Sequence, residues 1–140
     1  MIQNWFLNGL GAAVCFACMV LAYKKLLLMG IKPLMLNFFL FGLVFVGFFV
    51  WNMIEKNSFK AITPNMILFL AIAAFFSLLG NYLDVNSVKS APNPGYSATL
   101  KSGQIILVAL LSPFLFDSSL SLASFTGIGL VILGIFLIGK

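Results

Sequence analysis

The sequence predicts an all-α membrane protein of five transmembrane helices, and three observations carry that prediction. The chain has 140 residues, of which 62% are hydrophobic and only 8% charged, whereas a soluble domain is about half apolar and a quarter charged. The apolar residues come in runs of about 20, the length a helix needs to cross a hydrocarbon core of ~30 Å. Short alternating segments, which would suggest an outer-membrane barrel, are not the pattern here. Finally, Pro33, Pro64 and Pro94 each stand at the head of an apolar run. A proline at the first helical position gives up an N–H that has no partner there, and its fixed φ suits a helix start.

Each element follows in order. The first helix covers residues 5–29, from Trp5 past Lys24 and Lys25 to Met29. No basic residue precedes its apolar stretch and two follow it, the reverse of the charge pattern in a cleavable signal peptide, so it reads as a retained helix. The second spans 33–54, and a polar loop, "EKNSFKAIT", separates it from the third, at 64–84, with Thr63 placed to cap it. The fourth spans 94–116 with Asn93 as its cap. Late in that run Pro113 frees the carbonyl of Ala109 and predicts a kink or an end. The fifth spans 120–138, after "FDSS". The whole reads as one domain, residues 1–140, with no low-complexity linker and no internal repeat.

All of the positive charge is lysine, and the net charge is +5. The lysines sit at the ends of apolar runs, which is a topology signal rather than the basic patch of a nucleic-acid binder. Lys24, Lys25, Lys32, Lys89 and Lys140 fall on one side, with Lys56 and Lys60 on the other. That bias predicts an N-terminus out and a C-terminus in, in the cell's inner (plasma) membrane. Cys15 and Cys18, in "AVCFACMV", read as small packing residues one helical turn apart. With no histidine in the chain they lack the further ligands of a closed zinc site, so no metal and no cofactor is expected. The absence of histidine, of carboxylate clusters and of nucleophile–base spacings also argues against an enzyme.

Apolar helices associate in lipid through small residues that let backbones approach. The first helix offers Gly9, Ala13 and Ala17, and the fifth Ala123, Gly127 and Gly134 with Gly129 beside them. Packing within the chain and a subunit interface both stand as readings of these positions. The polar residues within the spans are sharper. Asp84 and Lys101 lie at similar depth on consecutive antiparallel helices, near Asn81, Tyr82 and Gln104. Lys101 is about 10 Å along its helix, where its stem can snorkel to the headgroups. Alternatively, all five line one polar cavity, in which Lys101 binds an anionic substrate group and Asp84 holds Lys101 when the site is empty.

From Phe69 onward the sequence reads "FLAIAAFFSLLGNYLDVNSVKSAPNPGYSATLKSGQIILVALLSPFLFDSSLSLASFTGIGLVILGIFLI". Gly80, Tyr82, the "PNPGY" turn, Leu120 with Ser121, and the "GIGLVILGIFL" ending occur in an order that resembles one EamA-type repeat of the drug/metabolite transporter superfamily. The departures are Ile105 where members often carry proline, Ser118 (beside Asp117) where they often carry Glu, and Asn37 as the nearest polar residue to a common second-helix arginine. The resemblance implies transport of a small metabolite by one half of an inverted-repeat fold of ten helices. It also implies pairing, either as a homodimer or with a paired half-transporter subunit. Three alternatives stand beside it. One is a small-multidrug-resistance-like cation exporter, although its first-helix glutamate is missing here. The others are a lipid-linked-sugar flippase subunit and a non-transporting accessory membrane subunit.

Overall fold

In the computed structural model, which describes residues 4–56 and 62–138, every regular element is a helix. In chain order these are α1 (Asn4–Leu28), α2 (Pro33–Ile54), α3 (Pro64–Ser90), α4 (Pro94–Lys101), α5 (Gln104–Phe116) and α6 (Leu122–Ile138). Taken as one span, α4 and α5 join α1, α2 and α3 as four segments long and apolar enough to cross a membrane, and α6 is a shorter apolar helix. Its 17 residues reach about 25 Å. The five spans of the sequence reading are therefore present, in six helical pieces. Residues 57–61 of the polar loop, Lys60 among them, and Lys140 lie outside the described residues.

Local chemistry accounts for most helix ends. Pro33, Pro64 and Pro94 each open a helix. Thr63 Oγ1 accepts the Met66 N–H at 3.4 Å, and Asn93 Oδ1 accepts the Gly95 N–H at 2.8 Å. Both are side chains satisfying amide groups that a first turn leaves without helical partners. Ser121 Oγ accepts the Ser124 N–H at 3.2 Å and starts α6 in the same way. The end of α1 is a Schellman motif. Gly30 takes a φ of +96°, its N–H bonds the Leu27 carbonyl, and the Ile31 N–H reaches back to Leu26.

Two boundaries differ from the sequence reading. The polar run after Leu83 predicts an end near residue 84, but α3 continues to Ser90. It continues because Val85 and Val88 bury one face completely, so packing sustains helix where hydropathy fades. In the fourth span, the interruption falls at Ser102–Gly103 rather than at Pro113, which lies inside α5 one turn before its end. Across the break the Gly103, Ile105 and Ile106 amides bond the carbonyls three residues back, a tightening to 3₁₀ geometry.

The chain divides into two compact units, Met1–Ser90 and Ala91–Lys140. In the first, Val20, Tyr23 and Leu27 of α1, Leu36 of α2, and Val85 and Val88 of α3 form the core, with Met19, Ile31 and Leu40 packed against it. These come from the C-terminal half of α1, the α1–α2 connection, the start of α2 and the end of α3, so the core closes one end of a three-helix bundle. In the second unit, α6 meets both α4 and α5. The contact is close at Gly103, where an added Cβ would lie 3.1 Å from the Leu100 carbonyl oxygen and 3.4 Å from Ile135 Cδ1.

Candidate functional site

The polar residues of the first unit collect where its core is. Along α3, Ser77, Asn81, Asp84, Val85 and Val88 share one face by their three- and four-residue spacing. Asp84 is 8% exposed. The facing helices contribute Tyr23, 2% exposed, and Asn37, 8% exposed. Asn37 Nδ2 donates to the Asn81 carbonyl at 3.4 Å, and Asn81 Nδ2 donates to the Ser77 carbonyl and hydroxyl at 2.8 and 3.2 Å. The cluster is thus a ladder of amide and hydroxyl groups running down α3 to a buried carboxylate.

Two atoms of this cluster are left over. Among the described residues, the buried Tyr23 hydroxyl and Asn37 Oδ1 have no hydrogen-bond partner. Burying such a group without a partner costs about 1–3 kcal/mol, and a small polar ligand or water is the natural complement. Lys24 has a different task. Its ammonium donates to the carbonyls of Val88 at 3.1 Å and Lys89 at 3.3 Å, where the last turn of α3 leaves acceptors free and the helix dipole favours a cation.

Tyr82 leaves this face. With Leu78 it turns to a groove of about 1090 Å³ between α2 and α3, whose walls include Phe38, Gly42 and Ala74. Asn37 and Ser77 also border the groove. Lys101 and Gln104 belong to the second unit, both exposed, as the last residue of α4 and the first of α5. They flank the Ser102–Gly103 break, so Lys101 ends one helix instead of standing within a continuous one.

Of the five residues singled out in the sequence, the structure gathers Asn81 and Asp84 with Asn37 and Tyr23, and turns Tyr82 to the groove. Sequence reasoning missed Tyr23, because a tyrosine just before two lysines reads as an interfacial anchor. It noted Asn37 only as the polar residue nearest to the second-helix arginine common in the family. That residue was the available signal, since polar groups within spans are functional candidates by default.

The described residues form an all-helical membrane protein with amides, a carboxylate and hydroxyls in its helices. The chain belongs to the EamA-like transporter family, whose model matches residues 3–140 as a single repeat. Members of that family are typically non-enzymatic transporters. No curated protein and no solved structure matched the chain.

Proposed function

We propose that the protein is a secondary transporter subunit that moves a small metabolite across the membrane, working as a dimer by alternating access. The observation that carries this reading is family membership over a single repeat, since inverted repeats around a midplane site are the general plan of secondary carriers. The partner is a second copy or a paired half-transporter subunit. An added Cβ at Gly9, Gly127, Gly129 or Gly134 would meet nothing within 4 Å, which leaves these small-residue faces available to such a partner.

The closed end of the first unit serves as a gate in this reading. Its unpartnered Tyr23 hydroxyl and Asn37 Oδ1 gain water or substrate partners when the end opens, which offsets part of the cost of separating Val85 and Val88 from α1 and α2. Asp84, Asn81 and Tyr82 on α3, with Lys101 and Gln104 beside the helix break, take part in substrate recognition, Lys101 toward an anionic group. Lys24, Lys25, Lys32 and Lys89 mark one end of the α1–α3 bundle and Lys56, just past α2, the other. That supports an N-terminus out and a C-terminus in, in the inner membrane.

Uptake and efflux of candidate solutes in proteoliposomes test the reading. Asp84→Asn and Lys101→Ala are each expected to lower transport at least tenfold without loss of folded protein. Unchanged transport of every solute by both variants would remove these roles. For orientation, Cys15→Ser and Cys18→Ser combined with a cysteine appended after Lys140 allow labelling of intact cells by an impermeant maleimide. Complete shielding supports one fixed orientation and a different partner chain. Labelling of about half the molecules supports dual insertion and an antiparallel homodimer.

A further inference from the structure

The α2–α3 groove carries an inference beyond solute transport, though Asn37 and Tyr82 border it. It is larger than the roughly 300–1,000 Å³ of ordinary ligand pockets, and no charged residue lines it. Along α2 its wall runs from Leu34 to Val46, about 18 Å at the helical rise, long enough for most of an extended fatty acyl chain. The walls are not uniform. One end is Val46, Phe41 and Ala74, wholly apolar, while the other brings in Asn37 and Tyr82.

Beyond that polar end stand cations. Lys32, exposed, is the N-cap of α2, two residues before Leu34. Lys89, also exposed, lies seven residues beyond Tyr82 and therefore on the same face of α3, with Asn86 between them donating to the Tyr82 carbonyl. Lys25 is exposed near the end of α1, at the same end of the bundle, since its neighbour Lys24 bonds the last turn of α3. The N-terminus of α2 opens there too, and it favours an anion. An apolar trough thus leads toward Lys32 on α2 and Lys89 on α3, the two helices that form its walls.

We propose that this groove holds one anionic glycerophospholipid, its acyl chain along α2 and α3 and its phosphate at Lys32 and Lys89. A neutral lipid satisfies the trough but not the lysines. A free phosphate ester satisfies the lysines but not the trough. An apolar helix of a second copy fills the trough and leaves the charge at its end unmatched.

Native mass spectrometry of the detergent-purified full chain, with added phosphatidylglycerol or phosphatidylcholine, tests this. The wild type is expected to retain phosphatidylglycerol in preference. Lys32→Gln with Lys89→Gln should reduce that preference by roughly fivefold per lysine and leave phosphatidylcholine retention unchanged. Gly42→Leu places its side chain in open space and should abolish retention of both lipids with the helical circular dichroism intact. Ala74→Leu provides the same blockade from α3. Excess glycerol phosphate should not displace the bound lipid. Equal retention of the two lipids by the wild type overturns the proposal, as does retention that survives both groove-filling variants. Full displacement by glycerol phosphate also overturns it, pointing to a headgroup site alone. If the groove-filling variants instead change the dimer fraction and leave lipid retention as it was, a second copy occupies the groove and the proposal fails.

Discussion

In the first unit α3 encloses Val85 and Val88 completely, whereas in the second unit α5 and α6 bury no residue and α4 buries only Ser97. α5 and α6 are at least as apolar as α1 and α3, so hydrophobicity does not explain the contrast. In lipid, apolar surface gains little by leaving the solvent, and helices associate through close fit and polar links. The first unit has both: two valines meeting Tyr23, Leu27 and Leu36, the Asn37–Asn81 link, and Lys24 on the last carbonyls of α3. In the second, α6 meets α4 and α5, with a close approach at Gly103. A membrane bundle packs closely where shape and hydrogen bonding coincide, and the gate proposed for this protein lies at such a place.

The contrast can be broken most directly at Tyr23. Tyr23→Ala removes the largest buried side chain of α1 and should cost about 3 kcal/mol or more, seen as a large drop in thermal unfolding midpoint in detergent. Tyr23→Phe sharpens the point, because it deletes only a hydroxyl that has no hydrogen-bond partner among the described residues. It should leave the midpoint unchanged or raise it, and a loss near that of Tyr23→Ala would mean the hydroxyl is bonded after all.

In the second unit the largest effect belongs to Gly103. Gly103→Val forces heavy atoms against the Leu100 carbonyl and Ile135 and should cost roughly 1–3 kcal/mol. Gly127→Ala, in open space on α6, serves as its control and should stay within about 0.5 kcal/mol. Equal effects at the two glycines would show that the approach at Gly103 is not what holds this unit.

Smaller effects test the links between helices and their ends. Lys24→Met should destabilise by about 1 kcal/mol through loss of two charge-assisted bonds that are partly open to solvent, with faster amide exchange confined to the last turn of α3. Asn93→Ala should cost about 1 kcal/mol and loosen only the start of α4, which hydrogen exchange resolves. If Lys24→Met left exchange at residues 86–90 unchanged, its ammonium would be acting on something other than the α3 terminus.

Much of this is legible in the amino-acid sequence. The caps at Thr63 and Asn93, the prolines at three helix starts, and the apolar runs are local features, and local chemistry states them in the residues themselves. Asp84 and Asn81 were legible as polar groups within a span. Tyr23 was not, because its burial depends on α3 continuing past its apolar stretch, and that continuation depends in turn on the core that Tyr23 helps to form. The Ser102–Gly103 break was also hidden. Pro113 is the conspicuous helix breaker in that run, while Gly103 matters through its closeness to the Leu100 carbonyl within the break and to Ile135 on α6.

By itself, then, the sequence determined the membrane class, the five spans, most helix starts and the resemblance to EamA repeats. These rest on hydropathy and backbone preferences that act over a few residues to about twenty. Only the tertiary structure decided which end of the α1–α3 bundle is closed, which polar atoms are buried without partners, and which face of α3 Tyr82 presents. Those outcomes depend on contacts between residues some sixty positions apart, such as Lys24 with Val88. Among nearly uniform apolar helices, which faces meet is settled by the fit of a few small, branched and polar side chains.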